Sequence, residues 1–159
     1  MEKLYIICVE DQKEVLNTIA DQLSYFENQF TIEECETADE AYDLINTIDQ
    51  KGDKVAVVVS DHVMPGTTGV DFFVKMKLED RFAGVKKILL TGQATHTDTI
   101  NAINKAKIDN YIEKPWTKGE LIEKVSKLLT RFIIESGIAY EPYTEVLDKQ
   151  TLFDLLKVR

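Results

Sequence analysis

Cysteine, proline and glycine are all scarce in this chain of 159 residues, at two, three and seven. Two cysteines make no disulfide framework, and with only two histidines beside them they make no Cys/His metal site either. Cys8 lies inside an apolar run and Cys35 near the end of another, so both read as small buried hydrophobes of a reducing, cytoplasmic setting. No apolar run approaches the roughly 18–20 residues of a membrane span. Met1-Glu2-Lys3 leads directly into a strand pattern, without the basic and apolar regions of a signal peptide. Positive charge is the last shortage: Lys+Arg 19 against Asp+Glu 28 leaves a net charge of −9. That balance argues against a broad phosphate-binding surface, and so against direct nucleic-acid binding by this segment.

The length fits one domain with a sizeable core and a few tens of residues to spare. Apolar runs at 4–9, 30–35, 54–60, 86–91 and 109–113 read as strands. Helical spacing separates them. It is kept by Val15, Leu16, Ile19, Leu23 and Phe26, then by Ala41, Leu44, Ile45 and Ile48, then by Val70, Phe73, Val74 and Lys77. A βαβ alternation of this kind predicts a parallel sheet with helices on both faces and right-handed crossovers. The fourth helix, near 97–106, offers only Ile100, Ile103 and small alanines, and is expected to pack weakly. The fifth, about 118–134, carries a wide stripe of Leu121, Ile122, Val125, Leu128, Leu129, Phe132 and Ile133, read as a broad core face. Beyond Gly137 a connector precedes a short helix at about 145–157. Its apolar residues surround the axis, so it must bury against the domain, a second copy or an effector region.

Three of the strands end in chemistry. Val55-Ala56-Val57-Val58-Val59-Ser60 runs into Asp61, Tyr5-Ile6-Ile7-Cys8-Val9 runs into Glu10-Asp11, and Ile88-Leu89-Leu90 runs into Thr91-Gly92. Parallel strands deliver such residues to one sheet edge, where ligands of open α/β folds bind. Three converging carboxylates repel one another and call for a cation. Hard oxygen ligands in a wet cleft suit Mg²⁺. His62 and His96 are isolated and read as solvent-facing or supporting groups. Thr91 and Lys114, on the same edge, supply the hydroxyl and ammonium that a dianionic phosphoryl group requires.

Glu10-Asp11, Asp61 with Met64-Pro65 and Gly69, Thr91-Gly92 and Lys114-Pro115 together resemble, in order and spacing, the receiver domain of two-component response regulators, over about residues 3–134. The resemblance implies an α/β, flavodoxin-like, doubly wound five-stranded parallel sheet of order 2-1-3-4-5, with five helices and a C-terminal helical extension. It implies a receiver at 1–134, and at 135–159 an extension, linker or start of an effector region. Asp61 is then the phosphoacceptor and a metal ligand. Asp11 is a second ligand, the Val63 backbone carbonyl a third, and Glu10 a ligand through water. Thr91 bonds a phosphoryl oxygen, Lys114 pairs with the carboxylate and later the phosphate, and the Lys114-Pro115 bond is cis. Tyr111 occupies the place of an aromatic switch. Val63 and Gln93, two positions beyond Asp61 and Thr91, tune hydrolysis of the acyl phosphate. The implied partners are a sensor histidine kinase or phosphotransfer protein, and an effector domain or second copy meeting the fourth helix, fifth strand and fifth helix.

Two other classes compete. A Mg²⁺-dependent phosphohydrolase of the haloacid dehalogenase type also uses a strand-end aspartate, but needs an acid/base aspartate where Val63 stands. A flavin-binding module needs a phosphate loop where this chain has Glu10-Asp11-Gln12-Lys13-Glu14. A degenerate receiver would bind partners without phosphorylation, although here every expected acidic, hydroxyl and lysine position is filled.

Overall fold

Five runs rich in valine, isoleucine and leucine form one parallel sheet: β1 (Leu4–Val9), β2 (Thr31–Cys35), β3 (Lys54–Asp61), β4 (Lys86–Thr91) and β5 (Asn110–Glu113). The computed structural model describes residues 2–92 and 96–158, with Asp98 by its backbone alone. The strand order is β2-β1-β3-β4-β5, as the resemblance implies, and all strands are parallel, as the alternation predicts. Strand composition follows position in the sheet. Ile6 to Val9 and Ala56 to Val59, in the central β1 and β3, are completely buried, whereas the edge strands expose Glu34, Tyr111 and Glu113.

Alternation along the strands divides the core in two. Ile6, Cys8, Val57, Val59, Ile88 and Leu90 face α1 (Lys13–Leu23) and α5 (Lys118–Glu135). Ile7, Val9, Val58 and Leu89 face α2 (Ala38–Gln50), α3 (Gly69–Lys77) and α4 (Thr97–Ala106). Fully burying each such aliphatic side chain contributes about 1.5–3 kcal/mol, so these two layers dominate the favourable side of folding. Three helices begin with a threonine whose hydroxyl accepts an N–H three residues on: Thr37 from Glu40 at 3.0 Å, Thr68 from Asp71 at 3.1 Å and Thr117 from Glu120 at 3.1 Å. An acidic residue in each first turn also complements the helix dipole.

Three local expectations need correction. In α3 the residues most completely buried include Phe72 and Met76, while Val74 is half-buried and Lys77 ends the helix exposed. The helix lies between α2 and α4, so its apolar arc is wider than the spacing read from one face. Phe26 belongs to a 3₁₀ turn at Ser24–Phe26, beyond the end of α1, and remains fully buried. The C-terminal helix begins later than expected, as α6 (Lys149–Lys157) after a 3₁₀ turn at Glu141–Tyr143.

The residues between that turn and α6 are drawn onto the domain. Tyr143 packs at 5.4 Å from Phe30, and Val146 and Leu147 join the α1/α5 core. Ser126 Oγ donates to the Val146 carbonyl at 2.8 Å, and the Asp148 N–H donates to Thr130 Oγ1 at 2.9 Å. The wide face of α5 is thereby covered from two sides, by the sheet and by the C-terminal segment. Cys8 and Cys35 are free and buried; burial pushes both thiols up to about 12, and they remain unreactive core residues.

Candidate functional site

At the C-terminal edge of the sheet, β3 ends on Asp61, which is 4 % exposed, and Glu10 follows β1 directly at 1 %. The Glu10 N–H donates to the Cys35 carbonyl at 3.0 Å, which fixes the turn out of β1 against β2. Asp11, next in the chain, is half-buried. Carboxylate oxygens of Glu10, Asp11 and Asp61 all lie within 4.8 Å of one another, so the three acidic residues singled out in the sequence form one cluster. Lys114, just past β5, makes an ion pair with Asp61 Oδ1, and its own N–H donates to the Thr91 carbonyl at 3.0 Å. Thr91 closes β4, 3 % exposed, and the Lys114-Pro115 bond is cis.

A cleft of about 400 Å³ opens over this edge, lined by Asp61, His62, Val63, Thr91, Gly92 and Lys114. The loop after Asp61 is held from both sides. The His62 N–H donates to the Leu90 carbonyl at 3.1 Å, and the Gly69 N–H donates to the His62 carbonyl at 2.9 Å. Glycine is required at 69, because a Cβ there would lie 2.3 Å from the Asp61 carbonyl oxygen. The close approach brings the start of α3 against the end of β3 and leaves the Asp61 carboxylate facing the cleft rim.

The electrostatics are those of a site short of positive charge. Burial, and after it the negative charge of Asp61, push the Glu10 carboxyl up to about 7; Lys114 and the Gln12 N–H, 3.3 Å from Glu10 Oε1, oppose the shift. Glu10 Oε2 is buried and has no hydrogen-bond partner among the described residues. An orphaned carboxylate oxygen beside two further carboxylates is a donor set of hard oxygens, suited to a divalent cation of the Mg²⁺ type rather than to a soft metal. One ammonium cannot balance three carboxylates, and Lys114 is committed to Asp61.

Other expected residues are spread around the rim. Val63 is 75 % exposed and lines the cleft. Tyr111, on β5, is 40 % exposed; Lys124 Nζ donates to its carbonyl at 2.9 Å and sits 5.5 Å from its ring centroid. His96 caps no backbone group with its side chain, and neither histidine joins the acidic cluster. Gln93 lies outside the described residues. Sequence reasoning missed the supports. Ser60 Oγ donates to the Asp61 carbonyl at 2.9 Å, and Trp116 Nε1 donates to Gln22 Oε1 at 2.8 Å, tying the segment after Lys114 to α1. The Thr68-x-x-Asp71 cap that starts α3 beside Asp61 is a capping pattern visible in the sequence itself.

Residues 6–126 match the family model of the response regulator receiver domain. The chain belongs to that family. Among curated relatives, this receiver is 29% identical over 120 residues to the hydrogenase transcriptional regulatory protein HoxA of Cupriavidus necator, covering 76% of this chain and 23% of that protein. It is 28% identical over 124 residues to a chemotaxis protein CheY homolog of Campylobacter jejuni, covering 78% of this chain and 91% of the relative. It therefore spans under a quarter of HoxA and nearly all of the CheY homolog. A solved receiver domain protein from Methanospirillum hungatei JF-1 superposes with a TM-score of 0.69 at 26% identity, covering 85% of this chain and 99% of that one.

Proposed function

We propose that this receiver is a phosphorylation-activated switch that takes a phosphoryl group from a histidine kinase or phosphotransfer protein onto Asp61. The observation that carries the reading is the ion pair of Lys114 with a buried strand-end Asp61 inside the three-carboxylate cluster. An Asp61 carboxylate oxygen attacks phosphorus in line, the new O–P bond forms as the N–P bond to the donor imidazole breaks, and an acyl phosphate results. Lys114 follows the charge from the carboxylate onto the phosphoryl oxygens, and Thr91 donates its hydroxyl to one of them. Asp11, Asp61 and the Val63 carbonyl would hold Mg²⁺, with Glu10 supporting it through water, and the bound ion would neutralise charge on the transferring oxygens. Val63 and Gln93, two positions beyond Asp61 and Thr91 in the sequence, set the lifetime of the acyl phosphate.

The same reading takes residues 1–134 as the receiver unit and 135–159 as its extension. Thr91 moves toward the phosphoryl group, Tyr111 turns inward, and α4, β5 and α5 present a changed surface to an effector or a second copy. A nearly complete shift from 1:99 to 99:1 needs roughly 5.5 kcal/mol of differential interaction, within reach of a few charge-assisted hydrogen bonds to a dianion. An aspartyl-phosphate phosphohydrolase is disfavoured, because exposed Val63 provides no acid/base group two residues after Asp61. Trp116, held to Gln22 beside Lys114, is the natural reporter. Its fluorescence should change on adding Mg²⁺ and a small phosphodonor, and the donor-dependent part of the change should be missing in Asp61→Asn. An equal donor-dependent change in Asp61→Asn would refute the assignment.

A further inference from the structure

The opposite edge of the sheet holds a second concentration of charge that the switch does not use. Lys86 and Lys87 begin β4, Lys77 ends α3 and Lys107 caps the C-terminus of α4. With Ala83, Val85 and Asp109 these four lysines line a cleft of about 310 Å³. Four lysines lining one small cleft are unexpected on a chain whose net charge is −9, although alternation along β4 sends the Lys86 side chain to the α5 face.

The engagements of the four differ. Lys86 Nζ is paired with Glu135 at 2.6 Å, and Lys77 Nζ donates to the Lys105 carbonyl at 2.9 Å. Lys87 is only 4 % exposed, yet its ammonium has no hydrogen-bond acceptor among the described residues. Asp109, the one carboxylate lining the cleft, turns Oδ2 to the Lys87 backbone N–H at 2.8 Å. Burial, and then the like charges of Lys86, Lys77 and Lys107, push the Lys87 ammonium below its ordinary range against the pull of Asp109. The Lys87 side chain is buried along its length while its ammonium is not among the buried orphaned atoms, so the charged tip opens on the cleft and takes its acceptors from there.

We propose that this cleft binds a small phosphate-bearing anion of at least two negative charges, with Lys87 and Lys107 as its principal donors and Lys77 beside them. Ammonium groups act on phosphate as point charges, so several converging lysines suit a polyvalent oxyanion better than a planar carboxylate. The volume is at the small end of ligand pockets, enough for a diphosphate-sized group. The site is independent of Asp61: it lies at the N-terminal end of β4, whereas Thr91 and the acidic cluster lie at the C-terminal end.

The test is calorimetric titration of the full chain with pyrophosphate, free of divalent ions, with amide chemical shifts followed in parallel. Saturable binding is expected, with shifts at Ala83, Val85 and Asp109. Lys87→Gln and Lys107→Asn should each weaken it at least roughly tenfold, the value of one charge-assisted hydrogen bond. Lys107 has φ 52°, a left-handed conformation that asparagine also accepts, so that variant keeps the test open if Lys87→Gln does not fold. Lys114→Gln and Lys127→Gln should leave binding unchanged. No saturable binding, loss in Lys114→Gln with retention in Lys107→Asn, or equal loss in Lys127→Gln would each overturn the proposal.

Discussion

Asp61 gains its meaning from its neighbours. A strand-ending aspartate is common, whereas one that is 4 % exposed, paired with Lys114 and within 4.8 Å of two other carboxylates is held for a purpose. Gly69 is the residue on which that placement depends most sharply, since a Cβ would lie 2.3 Å from the Asp61 carbonyl oxygen. Gly69→Ala must push α3 away from β3, and should cost about 1–3 kcal/mol, as overpacking of a tight contact does. Urea unfolding will read the loss, and phosphorylation should slow with it. A variant of wild-type stability would mean that the approach of α3 to Asp61 relaxes freely. Glu10, Asp11, Asp61, Thr91 and Lys114 were all legible in the sequence, because a parallel sheet brings strand ends to one edge whatever the loops do. Ser60 and Gln22 were harder to see: each is a common polar residue whose role depends on a partner that the folded geometry supplies.

Elements were legible where one physical rule dominates. Buried runs gave the five strands to within a residue or so, and α5 follows its apolar stripe from Lys118 to Glu135. The rule failed where two surfaces compete for one helix, as at α3, or where a short segment trades helical hydrogen bonds for burial, as at Thr144 to Asp148. Nothing in the spacing of Val146 and Leu147 says that they leave the helix to enter the α1/α5 core. At the lower end of α5, Glu135 secures buried Lys86. Burial pushes the Glu135 carboxyl up, but the hydrogen bond and charge of Lys86, with Arg131, outweigh it and hold the group below its ordinary value. A carboxylate depressed in the folded state stabilises the fold above the unfolded-state pKa, and loses that contribution as pH falls through the folded-state pKa. Glu135→Gln should therefore lower stability by about 1 kcal/mol at pH 7, a modest value because Glu135 is half exposed. The gap from wild type should close below the ordinary glutamate range. A gap that stays constant into strong acid would show that the loss is not ionic.

For the whole molecule, the sheet separates two charged edges. One gathers three carboxylates around a single lysine, and the other gathers four lysines around a single aspartate. The acidic edge is self-repulsive, and a divalent cation should relieve it. Millimolar Mg²⁺ is expected to raise the melting temperature of the wild type by mass action, with a smaller rise in Asp11→Asn. Equal shifts in both would place the ion elsewhere. The C-terminal segment is continuous with the α1/α5 core through Tyr143, Val146 and Leu147, so it should unfold with the domain in one transition rather than fray first. The most direct measurement of the central claim is labelling by a small phosphodonor with Mg²⁺, followed by intact mass and by the chemical stability of the product. Wild type should gain one phosphoryl group as a base-labile acyl phosphate, and Asp61→Asn should gain none; continued labelling of Asp61→Asn at an acid-stable, base-labile site would contradict the account.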